Sequence, residues 1–159
     1  MPKRVLIAMK TKEDVLAALK KVNFLERTAE LAQNYKRDPK GKKTPSIKRE
    51  IVFEIIKKYG YVPGYSMDEY VIKKIDGAKE RSVINFSFHY SWVIFIFLYS
   101  EGKSFIYSGK WGKIKKDLSG DDDYRTGSPA FSSYEDLEEI LAEAISIYED
   151  SVKALYENN

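Results

Sequence analysis

The chain has 159 residues, a formal charge of +3, no cysteine and one histidine. A chain of this length buries roughly 70% of the surface its unfolded form exposes, so one domain can hold together without staples. The missing cysteine excludes disulfides, thiolate metal sites and cysteine nucleophiles, and suits a reducing cytoplasmic setting.

The opening "MPKRVLIAMKTKED" has an apolar run of only residues 5–9, too short for a signal-peptide core and without a small-residue cleavage site. Its "RVLIAM" portion fits either a short strand or an extra turn. The longest apolar run, 92–99, has eight residues, against about 20 for a membrane-spanning helix. No membrane segment is expected.

Thr11 with Asp14 three residues later can cap a helix over 12–33, whose apolar positions Val15, Leu16, Leu19, Val22, Leu25, Ala29 and Ala32 recur at three and four. "KRDPKGKKTPS" then reads as an exposed connector. Thr44 as N-cap and Pro45 as first residue predict a second helix over 45–59, with Ile47, Ile51, Ile55 and Tyr59 on one stripe and Gly60 as its stop. "GYVPGYS", 60–66, reads as a turn-rich crossover.

Four segments of period two follow, predicting strands over 69–75, 82–90, 92–100 and 104–109. Asp76-Gly77 and 100–103 favour tight reversals. In an extended chain Ile84, Phe86, Phe88, Tyr90, Trp92, Ile94, Ile96 and Leu98 share one face; the other face is polar up to Ser91 and apolar from Val93. The segment 92–99 is therefore expected in the middle of the sheet, with a bend, bulge or hairpin near residues 89–91. Residues 110–130 read as loop. Ser132 or Ser133 caps a final helix over 133–157, with Leu137, Ile140, Leu141, Ala144, Ile145, Tyr148, Val152 and Leu155 as its apolar stripe and an acidic opposite face. Hairpin-length connections without a crossover helix predict a single α+β domain: a four-stranded antiparallel meander with two N-terminal helices and one C-terminal helix packed on it.

The charge is unevenly spread. Residues 134–159 hold eight acids against Lys153, leaving 26 bases and 16 acids in the first 133 residues. On the final helix, Glu138, Glu139, Glu143, Glu149 and Asp150 form a face able to steer and orient a basic partner protein. Two basic stretches offer an alternative nucleic-acid surface, 36–49 and 110–116. Its candidate residues are Lys42, Lys43, Lys113, Lys115 and Lys116, with Trp111 as an exposed aromatic. The strand aromatics are read as core, because the basic-Gly-aromatic signature of an RNA-binding sheet is absent.

Nothing in the sequence points to an active site, cofactor or metal. His89 falls on the polar strand parity and cannot form a histidine cluster alone. Asp121, Asp122 and Asp123 lack the alternating spacing and trailing glycine and glutamate of a calcium loop. No phosphate-binding glycine loop or nucleophile elbow occurs.

Helices first, then the aromatic-rich meander "SVINFSFHYSWVIFIFLYSEGKSFIYSG", then an acidic helix opened by "FSSYEDLEEILAEAISIYED": this order resembles, across residues 70–157, the small cytosolic immunity proteins of bacterial toxin systems. The resemblance implies a non-enzymatic inhibitor that binds one toxin tightly and occludes its active site.

Overall fold

The computed structural model describes residues 9–36 and 46–157. Helix α1, Lys12–Lys21, begins at the expected capping box: Asp14 N–H donates to Thr11 Oγ1 (3.2 Å) and Thr11 N–H to Asp14 Oδ2 (2.8 Å). The expected single helix over 12–33 is two. The chain breaks at Asn23, in the left-handed region at φ 63°, and resumes as α2, Phe24–Asn34. Asparagine tolerates that conformation better than most residues, and the break admits Phe24 to the core, where its ring meets Phe97 and Trp111.

Helix α3, Arg49–Lys58, starts later than expected, with Lys48 as N-cap. Thr44 and Pro45 lie outside the described residues, as does "RVLIAM" except Met9. Residues 46–48 are held extended because the Tyr134 hydroxyl accepts from Lys48 N–H (2.8 Å) and donates to the Ser46 carbonyl (3.3 Å). Gly60, at φ 87°, ends the helix as expected.

Among the described residues the antiparallel sheet has five strands, in the order β1 Val62–Ser66, β2 Glu69–Asp76, β3 Lys79–His89, β4 Trp92–Glu101 and β5 Ser104–Lys110. The additional strand is β1, in the stretch read as a crossover. As an edge strand it tolerates Pro63, and Gly64 lets the Lys73 side chain cross it: a Cβ there would sit 3.0 Å from Lys73 Cε. The β1–β2 turn uses Met67 and Asp68, both at positive φ (52° and 64°), a geometry usually signalled by asparagine or glycine.

Strands β3 and β4 form a hairpin with Tyr90 and Ser91 in its turn, and His89 pairs with Trp92. The register sets Phe86 opposite Phe95 and Ile84 opposite Phe97. Even positions of β3 therefore share a face with odd positions of β4, the hairpin among the alternatives expected near residues 89–91 rather than one extended ribbon. That shared face carries the helices. Strand β4 lies between β3 and β5, but the sheet's middle strand is β3.

Residues 110–130 contain helix α4, Trp111–Ser119, which follows β5 directly; α5, Tyr134–Tyr156, closes the layer. Ser133 caps α5 by accepting from Asp136 N–H (3.1 Å), while Asp136 Oδ2 accepts from Ser132 N–H (3.0 Å). One contiguous core joins the elements. At its centre Phe97 meets Phe24, Trp111 and Tyr148 edge-on, at centroid distances of 5.3–6.1 Å, and Phe95 stacks on Trp111 at 4.5 Å. The fold is thus α+β with an antiparallel meander, built among the described residues from five strands and five helices rather than four and three. Among the described residues no helix is long and apolar enough to cross a membrane.

Candidate functional site: a basic notch beside β4

The acidic flank of α5 is engaged within the chain. Arg27 on α2 donates from Nε (2.9 Å) and Nη2 (2.7 Å) to Glu143 Oε1, and from Nη1 to Asp150 Oδ2 (2.8 Å). Lys58 Nζ on α3 reaches Glu138 Oε2 at 2.7 Å. The Tyr61 hydroxyl donates to Glu149 Oε2 (3.0 Å), and Tyr35 donates to Glu139, which pushes the Tyr35 phenol up to about 12. All five candidate carboxylates thus fasten α5 to its neighbours: Glu138, Glu143 and Asp150 are ion-paired, while Glu139 and Glu149 accept from neutral phenols and keep their charge. Apolar periodicity could not reveal this, since Arg27 lies more than a hundred residues from its partners.

Of the basic candidates, Lys42 and Lys43 lie outside the described residues. The other stretch is rearranged by α4. Trp111, expected to be exposed, is 5% exposed and stacked in the core. The helical turn that buries it also buries Lys115, which is 4% exposed and has no hydrogen bond or ion pair to a described residue. Burial alone pulls the Lys115 ammonium down from its ordinary 10.5 to about 8. Lys113 is exposed, its Nζ lying 4.5 Å from the Tyr107 ring centroid and 3.5 Å from Asp117 Oδ2.

These residues border a break in the edge of β4. Strand β5 pairs with β4 only from Ile96 to Glu101 before turning into α4. The chain returns at Pro129: the Val93 N–H donates to the Pro129 carbonyl (2.9 Å), and the Phe131 N–H to the Ser91 carbonyl (3.0 Å). Between the two covered stretches, around Ile94, a cleft of about 540 Å³ is left. Lys110, Lys113, Lys115, Lys116 and Arg125 line it, and no carboxylate does. Tyr124, Thr126 and Ser128 bring hydroxyls from the returning segment, and Thr126 Oγ1 is buried without a partner. The first turn of α4 opens here with no side-chain cap and no acidic residue. The arrangement holds positive potential and unmatched donors in one recess, which suits an anion.

Arg125 carried no sequence signal, because it sits between turn residues far along the chain from Lys110. Neither His89 nor the aspartates join the cleft's lining. His89 is exposed at the hairpin end, stacked near Trp92 at 6.1 Å; Asp121 Oδ1 accepts from Asp123 N–H (2.9 Å) in a local turn. Among the described residues no group of three or more potential metal ligands is assembled.

The notch adjoins the sheet face turned away from the helices. Trp92, Ile94, Ile96 and Leu98 alternate along β4 on that face, half-buried by strand neighbours, and none joins the core or packs against it. Comparison with known proteins returned no match to a family model, a curated protein or a solved structure.

Proposed function

We propose that this chain is a non-enzymatic protein-binding module of the inhibitory, immunity-like kind, and that it meets its partner through the helix-free face of the sheet rather than the acidic flank of α5. The observation that carries the reading is the row Ile94, Ile96 and Leu98, continuing from Trp92, large apolar side chains on a face against which no helix of the described residues packs. Strand faces turned to water normally alternate to polar residues, and a contiguous apolar row has the composition of an interface core. Lys110, opposite Ile96, and Arg125 beside the notch border that row. The partner is therefore a protein with an apolar patch rimmed by acidic residues. Seated there, the module would block the partner by occlusion and needs no chemistry of its own.

The test is affinity capture with nuclease treatment, followed by reconstitution. The captured protein, once purified, should bind one-to-one, be inhibited by the wild-type chain and escape an Ile96→Asp variant that keeps its melting temperature. Equal binding and inhibition by Ile96→Asp would overturn the sheet-face reading. Recovery of nucleic acid, with all protein lost on digestion, would instead favour a polyanion on the basic residues.

A further inference from the structure

We propose that the notch between α4 and the returning segment 124–128 is a binding site for a small phosphorylated molecule, with its phosphate held by Lys115, Thr126 and the first turn of α4. This goes beyond the docking face and does not depend on it. Helix α4 has nine residues, and its N-terminal N–H groups have no side-chain acceptor. A helix N-terminus alone would say little. Here it opens beside Lys115, which is more than nine-tenths buried, unpaired and part of the same cleft lining. A largely desolvated ammonium without a counter-ion is costly, and an anion in the cleft supplies the missing charge. Thr126 Oγ1, also buried and unpartnered, supplies a second donor.

Charge and size narrow the ligand class. Five cationic side chains and no lining carboxylate favour a dianion over a single carboxylate. The space exceeds what a bare phosphate fills, and the lining includes Ile94 and Tyr124, an apolar and an aromatic side chain able to meet an organic body. The space around Gly112 at the α4 entrance is open, since a Cβ there would meet nothing within 4 Å. A phosphate monoester with a flat or apolar body matches these features. Phosphate oxygens would accept from Lys115 Nζ, Thr126 Oγ1 and helix N–H groups, with Lys116 and Arg125 at the rim.

The experiment is a two-dimensional amide NMR titration of the full chain at low ionic strength, using inorganic phosphate, adenosine monophosphate and adenosine as separate probes. Saturable shifts centred on Gly112, Lys115 and Thr126 are expected with the two phosphate-bearing probes and none with adenosine, the monophosphate binding more tightly than inorganic phosphate. Lys115→Met should weaken phosphate binding at least tenfold, and Arg125→Gln, which alters an exposed side chain, several-fold. Shifts that rise linearly without saturation, scatter over distant lysines such as Lys20, or persist unchanged in both variants would overturn the proposal. Saturable binding of adenosine at the same amides would show that the recess recognises the organic body rather than the phosphate, and would equally overturn it.

Discussion

The Tyr99 hydroxyl and Ser151 Oγ lie 2.7 Å apart in the buried seam between β4 and α5. Ser151 Oγ is also 2.6 Å from the Tyr148 carbonyl, which can only accept, so the serine proton points there and Tyr99 is the donor in the pair. Ser151→Ala would strand a buried phenol proton and should cost about 1–3 kcal/mol, whereas Tyr99→Phe removes the donor itself and should cost about 1 kcal/mol. Urea denaturation of the two variants measures the difference. A larger loss from Tyr99→Phe would contradict this donor assignment.

Lys115 predicts an alkaline gain in stability. The folded chain releases this proton near pH 8, and the unfolded chain holds it to about 10.4. Between those values the unfolded state binds more protons, so stability should climb with pH and be lost again as pH falls through 8. Lys115→Met should stabilise the ligand-free protein at pH 7 by on the order of 3 kcal/mol and abolish the climb. Above pH 10 the trend reverses. Burial pushes Tyr148 and Tyr156 up to about 12, so they keep protons in the folded chain that the unfolded chain has lost. Denaturant midpoints from pH 6 to 11 would trace both limbs.

Arg27 ties α2 to two positions of α5, with a quarter of its side chain exposed. Partly exposed pairs contribute little singly, and a bidentate network contributes more. Arg27→Met should cost about 1–2 kcal/mol at low salt. A double-mutant cycle with Glu143→Gln should return a coupling near 0.5–1 kcal/mol that shrinks as salt is added. Coupling within error of zero at low salt would remove Arg27 as a fastener of α5.

The helix break at Asn23 is open to a backbone test. Asn23→Gly should be neutral or slightly stabilising, because glycine adopts positive φ without penalty, and Asn23→Val should cost about 1–2 kcal/mol. If α1 and α2 were one continuous helix in solution, valine would be the better tolerated of the two. Thermal melts followed by circular dichroism separate the cases.

Much of the fold was legible because its strands are long and strongly periodic. The second half of Lys79–His89 alternates clearly, Trp92–Glu101 begins with an unbroken β-forming apolar run, and the Thr11 and Ser133 caps carry local signals. Less legible were features whose cause lies elsewhere in the chain. Val62–Ser66 is a strand because Glu69–Asp76 pairs with it, despite Pro63 and Gly64. Helix α4 has only Trp111, Ile114 and Leu118 at helical spacing, with Gly112 in its first turn, and depends on Phe95 to dock it.

The site divides in the same way. The charges themselves could be read directly, yet their partners could not. Lys115 looks like one of several loop lysines until a helical turn places it beside Ile114, indoors. Glu143 and Asp150 look like free surface charge until Arg27 arrives from the other end of the chain. Charge counting therefore picked out Lys113, Lys115 and Lys116, which line the notch, while missing Arg125, and it assigned α5 a surplus of which Arg27 and Lys58 neutralise part.

The meander also has a consequence for synthesis. Each strand pairs with the one made just before it, so the ribbon can zip up in order as it leaves the ribosome. Its lid comes late: Ile84, Phe86, Phe95 and Phe97 are complete by residue 97, while the helix that seals them spans residues 134–156. For several dozen residues of translation the nascent sheet carries an aromatic face that only the earlier helices α1–α3 can cover. Stalled or truncated chains ending before α5 should therefore be the forms that chaperones hold and that aggregate first.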